Sequence, residues 1–175
     1  RGQSPLRFGI LGAAPIAVNA LIRPARALPE VLIAAVAARD PARAQVFARQ
    51  HGIARVHESY AALLADPTID AVYIPLPNSL HAEWSLRALA AGKHVLCEKP
   101  LAANAREAEQ LARAAETGGR LLVEAFHYRY HPLAARLRAI LASGEIGQVR
   151  RIETEFSVPL LRPSSIQFRY DLAGG

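Results

Sequence analysis

Short apolar runs of strand length recur at residues 6–11, 31–38, 53–56, 70–74, 95–97 and 120–126, and between them apolar positions return at helical spacing. The runs are nearly continuous rather than alternating, which is the pattern of strands covered on both faces. Their ends carry matching start and stop signals. Gly12 allows a tight turn after the first run, and Pro15 suits the first turn of a helix that is expected to break near Pro24. Asp40 can cap a second helix, with Pro41 at its first position and Gly52 at its end; Ser59 can cap a short one over 60–65. Pro75 and Pro77 stop the 70–74 run abruptly. Asn78 can then cap a helix over 79–91, and Asn104 with Glu107 makes a capping box for another reaching Thr117. Repeated strand–helix units at this spacing predict an α/β fold, a doubly wound parallel sheet with right-handed crossovers of the Rossmann kind.

The pattern changes after Phe126. Residues 127–132 form a polar, aromatic linker, 133–142 a helix with Gly144 near its end, and 148–158 alternate apolar and polar as a strand with one wet face. No clear element is expected over 159–175, so this strand has no partner in the sequence, and a lone strand does not make a stable sheet. The expected organisation is a Rossmann domain over residues 1–126, followed by the start of a second α+β domain over 127–175.

Composition narrows the classes. The chain has 175 residues, 51% of them hydrophobic, enough for one good core and part of a second. Its formal charge of +6 and pI near 10.1 would permit nucleic-acid binding, but the arginines are scattered and form no basic run or reader motif. The single cysteine, Cys97, lies in an apolar run and reads as a small core residue, in keeping with a reducing cytoplasm. No apolar segment is long enough to cross a membrane, and the first residues lack the apolar core of a signal peptide. The chain contains no methionine, so Arg1 is expected not to be the first translated residue.

Candidate chemistry gathers where the strands end. The 95–97 run stops at Glu98-Lys99-Pro100, and in open α/β sheets ligands lie outside the carboxyl ends of the strands. Pro100 biases Lys99 toward an extended backbone, so the ammonium can be aimed by the main chain to polarise a substrate oxygen or exchange a proton with it. A solvated Glu–Lys pair is the plainer alternative. Gly12, Ala14 and Ala17 match the dinucleotide pattern G-x-G-x-x-G with one glycine and two alanines; a helix starting there offers N–H groups to a phosphate, or simply packs closely on the strand. At the end of the second run, Ala38 and Arg39 stand where a carboxylate would hold a ribose 2′-hydroxyl. A guanidinium suits a 2′-phosphate, which favours NADP over NAD, although Asp40 next door could still serve a ribose. Asn78 and His81 share a helical face and could reach a ligand above the sheet, while Trp84 is most simply packing. His127 and His131 are separated from a common helical face by Pro132, so no metal site is expected.

Taken together, the stretches 9–14, 38–40, 77–81, 97–101 and 126–132 resemble the Gfo/Idh/MocA oxidoreductase family, and within it the NADP-dependent sugar and dihydrodiol dehydrogenases. The resemblance implies that Gly12, Ala14, Pro15 and Ile16 cradle a pyrophosphate and that Arg39 binds the adenosine 2′-phosphate or stacks on adenine. It places Pro75, Leu76, Pro77, Asn78, His81 and Glu98 along the nicotinamide half and Arg129 at the cleft. Lys99 becomes the catalytic residue, touching both the nicotinamide ribose and the reacting hydroxyl. The implied reaction is hydride transfer between NADP, or less favourably NAD, and the hydroxyl carbon of a small-molecule sugar or diol, in a cytoplasmic homo-oligomer. Family members carry a longer second domain, from which an aspartate and a histidine or tyrosine complete the catalytic group; neither can be placed in this sequence. A non-catalytic NADP(H)-binding or sensor protein is the alternative. No metal, nucleic acid or membrane partner is implied.

Overall fold

The computed structural model describes residues 4–157 and 166–173. Six parallel strands form one sheet in the order β3-β2-β1-β4-β5-β6. In chain order these are β1 (Leu6–Leu11), β2 (Val31–Ala37), β3 (Arg55–His57), β4 (Ala71–Ile74), β5 (His94–Cys97) and β6 (Leu122–Glu124). The helices are α1 (Pro15–Ala17), α2 (Arg23–Ala25), α3 (Pro41–His51), α4 (Tyr60–Ala65), α5 (His81–Ala90), α6 (Ala105–Gly118) and α7 (Pro132–Ser143). The strand order reverses between β1 and β4, the switch point where such sheets open a crevice for ligands.

The continuous apolar runs have a direct cause in the layering. Adjacent strand residues point to opposite faces, and both faces are covered. Leu11, Val72, Ile74 and Val95 pack with Leu63 of α4 and Leu111 of α6 on one side; Ile10, Val36 and Tyr73 pack with Ile22 and Phe47 of α3 on the other. Cys97 is sealed in the first of these cores, where burial pushes its thiol up to about 12. One approach is closest of all. A Cβ on Gly9 would lie 2.5 Å from Leu63 Cδ2, so α4 can reach β1 only because residue 9 has no side chain.

The capping signals act as expected at three helices. Asp40 accepts from Ala42 N at 2.9 Å, Ser59 from Ala62 N at 3.0 Å and Asn104 from Glu107 N at 3.0 Å, while Gly52 closes α3 in the left-handed region. Trp84 packs edge-on against Tyr60, with the Arg87 guanidinium over its ring.

Five expectations need correction. The first helical run does not break at Pro24, which lies inside α2; a π turn over Val18–Ile22 precedes it and shifts the hydrogen-bond pattern, accommodating a residue without an N–H. The strand expected at 53–56 forms over Arg55–His57, where its pairing with β2 begins at Ala35. Asn78 caps no helix: residues Asn78–Leu80 make a 3-10 turn, and α5 begins at His81. Residues 148–157 form no strand and are exposed, because no described strand pairs with them and alternation alone supplies no ladder bonds; position 158 lies outside the described residues. Of the stretch 159–175, where no clear element is expected, the described residues 166–173 hold two 3-10 turns, at Ile166–Phe168 and Tyr170–Leu172; 159–165 and 174–175 lie outside the described residues.

Candidate functional site

Loops leaving the carboxyl ends of β1, β4 and β5 enclose a cleft of roughly 430 Å³ at the switch point. From the first loop come Ala14, Pro15 and Ile16; from the second, Pro75, Leu76, Pro77, Asn78 and His81; from the third, Glu98, Lys99 and Pro100. These are most of the site residues expected from the sequence, and the topology brings them to one place.

The first loop turns sharply. Gly12 has φ +118°, a conformation side chains rarely adopt, and a Cβ there would sit 3.0 Å from Leu76 Cδ2. Gly12 therefore lies beneath the cleft and lets the first two loops meet. Pro15 follows as the first helical residue and has no N–H, Ala14 offers no side-chain oxygen to cap the helix, and Ala17 N already donates to Ala14 O at 3.1 Å, which leaves Ile16 N as the first-turn donor for water or a ligand anion. Arg43 braces this turn from α3, its Nη2 donating to Ala13 O at 2.9 Å.

The third loop is held from several directions. Glu98 N donates to Ile74 O at 3.1 Å, the last backbone bond between the β4 and β5 chains. The Glu98 carboxylate is buried and accepts from the Tyr73 hydroxyl at 2.6 Å and from Lys99 N at 3.3 Å. Burial, together with this carboxylate, raises the Tyr73 hydroxyl far above its ordinary range, so it stays a donor. Glu124 of β6 accepts from Leu101 N at 2.8 Å and fixes the far side of the loop. Between these anchors Lys99 is exposed at the cleft, and among the described residues no salt bridge joins it to Glu98. The Lys99–Pro100 peptide is cis. The solvated Glu–Lys pair is thus not what forms: the acid is buried beneath the loop and the base faces the cleft.

The two remaining arginines lie elsewhere. Arg39 is exposed just past the end of β2, and Arg129 is exposed on the 3-10 turn His127–Tyr130; neither lines the cleft. His131 caps α7, its Nδ1 accepting from Leu133 N at 3.1 Å. Ile166 and Leu172 add an apolar wall that the sequence did not announce. Asn78 connects to that wall, donating from Nδ2 to Ala173 O at 3.0 Å. Tyr73, Glu124 and Arg43 also went unread, since a tyrosine inside an apolar run and a helix-surface arginine carry no local sign of a distant partner.

A crevice built this way, with a tight glycine turn, a backbone donor at Ile16 and a lysine in its lining, can take a phosphate-bearing ligand and act on an oxygen beside it. Comparison with known proteins agrees. Residues 6–126 match the family model described as "Oxidoreductase family, NAD-binding Rossmann fold", that of Gfo/Idh/MocA. The chain is 48% identical over 171 residues to the NADP(+) D-xylose 1-dehydrogenase 2 of Haloferax volcanii, covering 97% of this chain and 52% of that protein. It is 36% identical over 172 residues to trans-1,2-dihydrobenzene-1,2-diol dehydrogenase of Xenopus tropicalis, covering 97% and 51%. Among solved structures, a 3-ketoreductase from Actinomadura kijaniata, in complex with TDP-benzene and NADP and in an open conformation, superposes with TM-score 0.77 at 43% identity, covering 84% of this chain and 46% of that one. The chain spans about half the length of the curated relatives it matches.

Proposed function

Because the chain belongs to the Gfo/Idh/MocA oxidoreductase family, we propose that it is the cofactor-binding part of an NADP-dependent enzyme that transfers a hydride between nicotinamide and the hydroxyl carbon of a sugar or diol. The observation that carries this reading is the braced third loop, which presents the Lys99 ammonium to a cleft at the switch point of the sheet. The residues present fit the dinucleotide. Gly12 sits where a Cβ would crowd Leu76, Ile16 N is left at the helix start, and the exposed Arg39 side chain can meet a 2′-phosphate beyond the end of β2. NADP is also what a relative at 48% identity uses and what the ketoreductase structure contains.

When bound, the cofactor supplies the hydride acceptor or donor. Ala14, Pro15 and Ile16 would hold its pyrophosphate, while Pro75, Leu76 and Pro77 would line its nicotinamide half. The apolar wall of Ile166 and Leu172 keeps water from that end. Lys99 orients the reacting hydroxyl; as the neutral amine it takes the hydroxyl proton on oxidation and becomes the ammonium, and as the ammonium it gives a proton to the carbonyl oxygen on reduction. Glu98, buried and bonded to Tyr73, stiffens the backbone that aims this lysine. Residues 127–175 are read as the start of the domain that completes the substrate wall.

The test is Lys99→Ala in the protein at its native length. Turnover is expected to fall by about 10²–10⁴-fold, the usual range for a lost proton-transfer group, while the NADPH dissociation constant from fluorescence titration stays nearly unchanged. Retained turnover removes Lys99 from the mechanism, and a wild-type protein that binds no NADPH overturns the reading as a whole.

A further inference from the structure

The His81 imidazole is only 1% exposed, and each of its nitrogens faces a main-chain carbonyl. Nδ1 lies 2.6 Å from Pro100 O and Nε2 lies 2.7 Å from Leu76 O. Carbonyl oxygens only accept. A ring with one proton would donate to one carbonyl and set a lone pair against the other, whereas a ring with two protons donates to both. Leu76 and Pro100 belong to different loops. The β4 and β5 ladder ends at Ile74 and Cys97, with one further bond from Glu98 N, and beyond that point the two chains separate around the cleft. His81 spans the gap where the ladder no longer does, and Pro100 is the residue next to Lys99.

We propose that His81 is a positioning residue that acts through Lys99: a doubly protonated ring that ties the Leu76 and Pro100 carbonyls together and so fixes the lysine's direction. The inference rests on the oxidoreductase reading above and refines it. Both ring nitrogens are occupied by the protein, so His81 meets a ligand only with its carbon edge. The charged groups that share its cleft are Glu98, whose carboxylate is turned toward Tyr73, and Lys99. An imidazole is suited to this span because its two donors point in opposed directions from one rigid ring, which no amide or hydroxyl side chain reproduces.

Nitrogen NMR of the ¹⁵N-labelled protein at its native length, with the His81 signals assigned by their loss in His81→Gln, reads the proton count directly. Both ring nitrogens are expected to carry hydrogen, with and without NADPH. A single unprotonated ring nitrogen overturns the proposal, whether or not the protein proves to be a dehydrogenase. Kinetics supply the second readout. kcat is expected to fall in the order wild type, His81→Gln, His81→Leu, by on the order of 10²-fold for the leucine variant, the scale of an ångström-size misplacement, while NADPH affinity holds. An unchanged kcat in the folded variants, or kcat and NADPH affinity lost together, means the ring does not position Lys99. Wild-type protein that binds no NADPH defeats the functional reading instead and leaves the NMR result standing.

Discussion

Along residues 6–126 most of the large apolar side chains close on one another, and along 127–156 most face solvent. Leu63 and Leu111 are sealed between helices and sheet, whereas Leu133, Leu137 and Leu141 recur along one side of α7 with about half or more of each exposed, and Phe156 is 93% exposed. The periodicity is equally good in both regions, since α7 repeats leucine every fourth position. What separates them is a partner. In the first region every strand finds a neighbour and the central strands β1, β4 and β5 are covered, so the loops at their ends are braced; α7 buries none of its residues. Apolar patterning therefore marks where a face must be covered without saying that this stretch of chain covers it. The short 166–173 segment stands between the two cases, because Leu172 and Ala173 meet the cleft and Asn78 while Tyr170 is exposed.

The sharpest way to break the first region is at its tightest packing. Gly9→Ala places a methyl 2.5 Å from Leu63 Cδ2, with Cδ1 and Cγ also at 3.2 Å, so the fully buried Leu63 must shift. Overpacking of this sort costs about 1–3 kcal/mol. The expected result is a lower urea midpoint with an unchanged slope. A loss under about 0.5 kcal/mol, the range of an ordinary surface change, would show that Leu63 repacks freely and that the core is looser than its geometry.

Much of this architecture was legible because its signals are local. Asp40, Ser59 and Asn104 each cap the helix that follows within three residues, and Gly12, Pro75 and Pro77 mark turns by their own backbone limits. The three loops of the cleft follow from strand order, which the strand–helix alternation implies. The bonds that stiffen those loops were not legible. Tyr73 meets Glu98 across 25 positions, Glu124 meets Leu101 across 23, and His81 reaches back to Leu76 and forward to Pro100. Each joins a side chain to a partner that only the completed sheet brings near. Asn78 was misread for the same reason: a helix cap is a local role, and a longer-range acceptor at Ala173 took its place. The 148–158 alternation failed in the opposite sense, with a clear local pattern and no described strand to pair with.

Acid should also separate the regions, at the end of the sheet away from the cleft. Asp66 accepts from Thr68 N and Oγ1 at 2.8 and 2.6 Å and from Arg55 Nη1 at 2.7 Å, while its main-chain oxygen takes the buried Lys93 ammonium at 2.7 Å. Chiefly through the Thr68 hydroxyl, these bonds hold the Asp66 carboxyl below its usual value; those from Arg7 do the same for Asp70. A carboxylate with a depressed folded pKa contributes its stability above the unfolded value, about 4, and loses it as pH falls through the lower folded one. The urea midpoint of the wild type should therefore be flat above pH 5 and drop below pH 4. Asp66→Asn should start lower and fall less steeply. Parallel curves for the two proteins would mean that Asp66 has no part in the acid limb.

The smallest effect is expected in α7, and it sharpens the comparison most. Leu137→Ala removes three carbons from a side chain that is 52% exposed and substitutes the residue with the highest helix propensity. In this 175-residue chain the unfolding free energy from urea titration should thus change by no more than about 0.5 kcal/mol, as for a surface change. In the protein at its native length the same substitution tests whether further chain covers the α7 face. A covered leucine would lose roughly 2–5 kcal/mol, and the difference between the two measurements would report that cover directly. A large loss already present in the short chain would mean that α7 has a partner within it, and that the contrast between the two regions is one of degree.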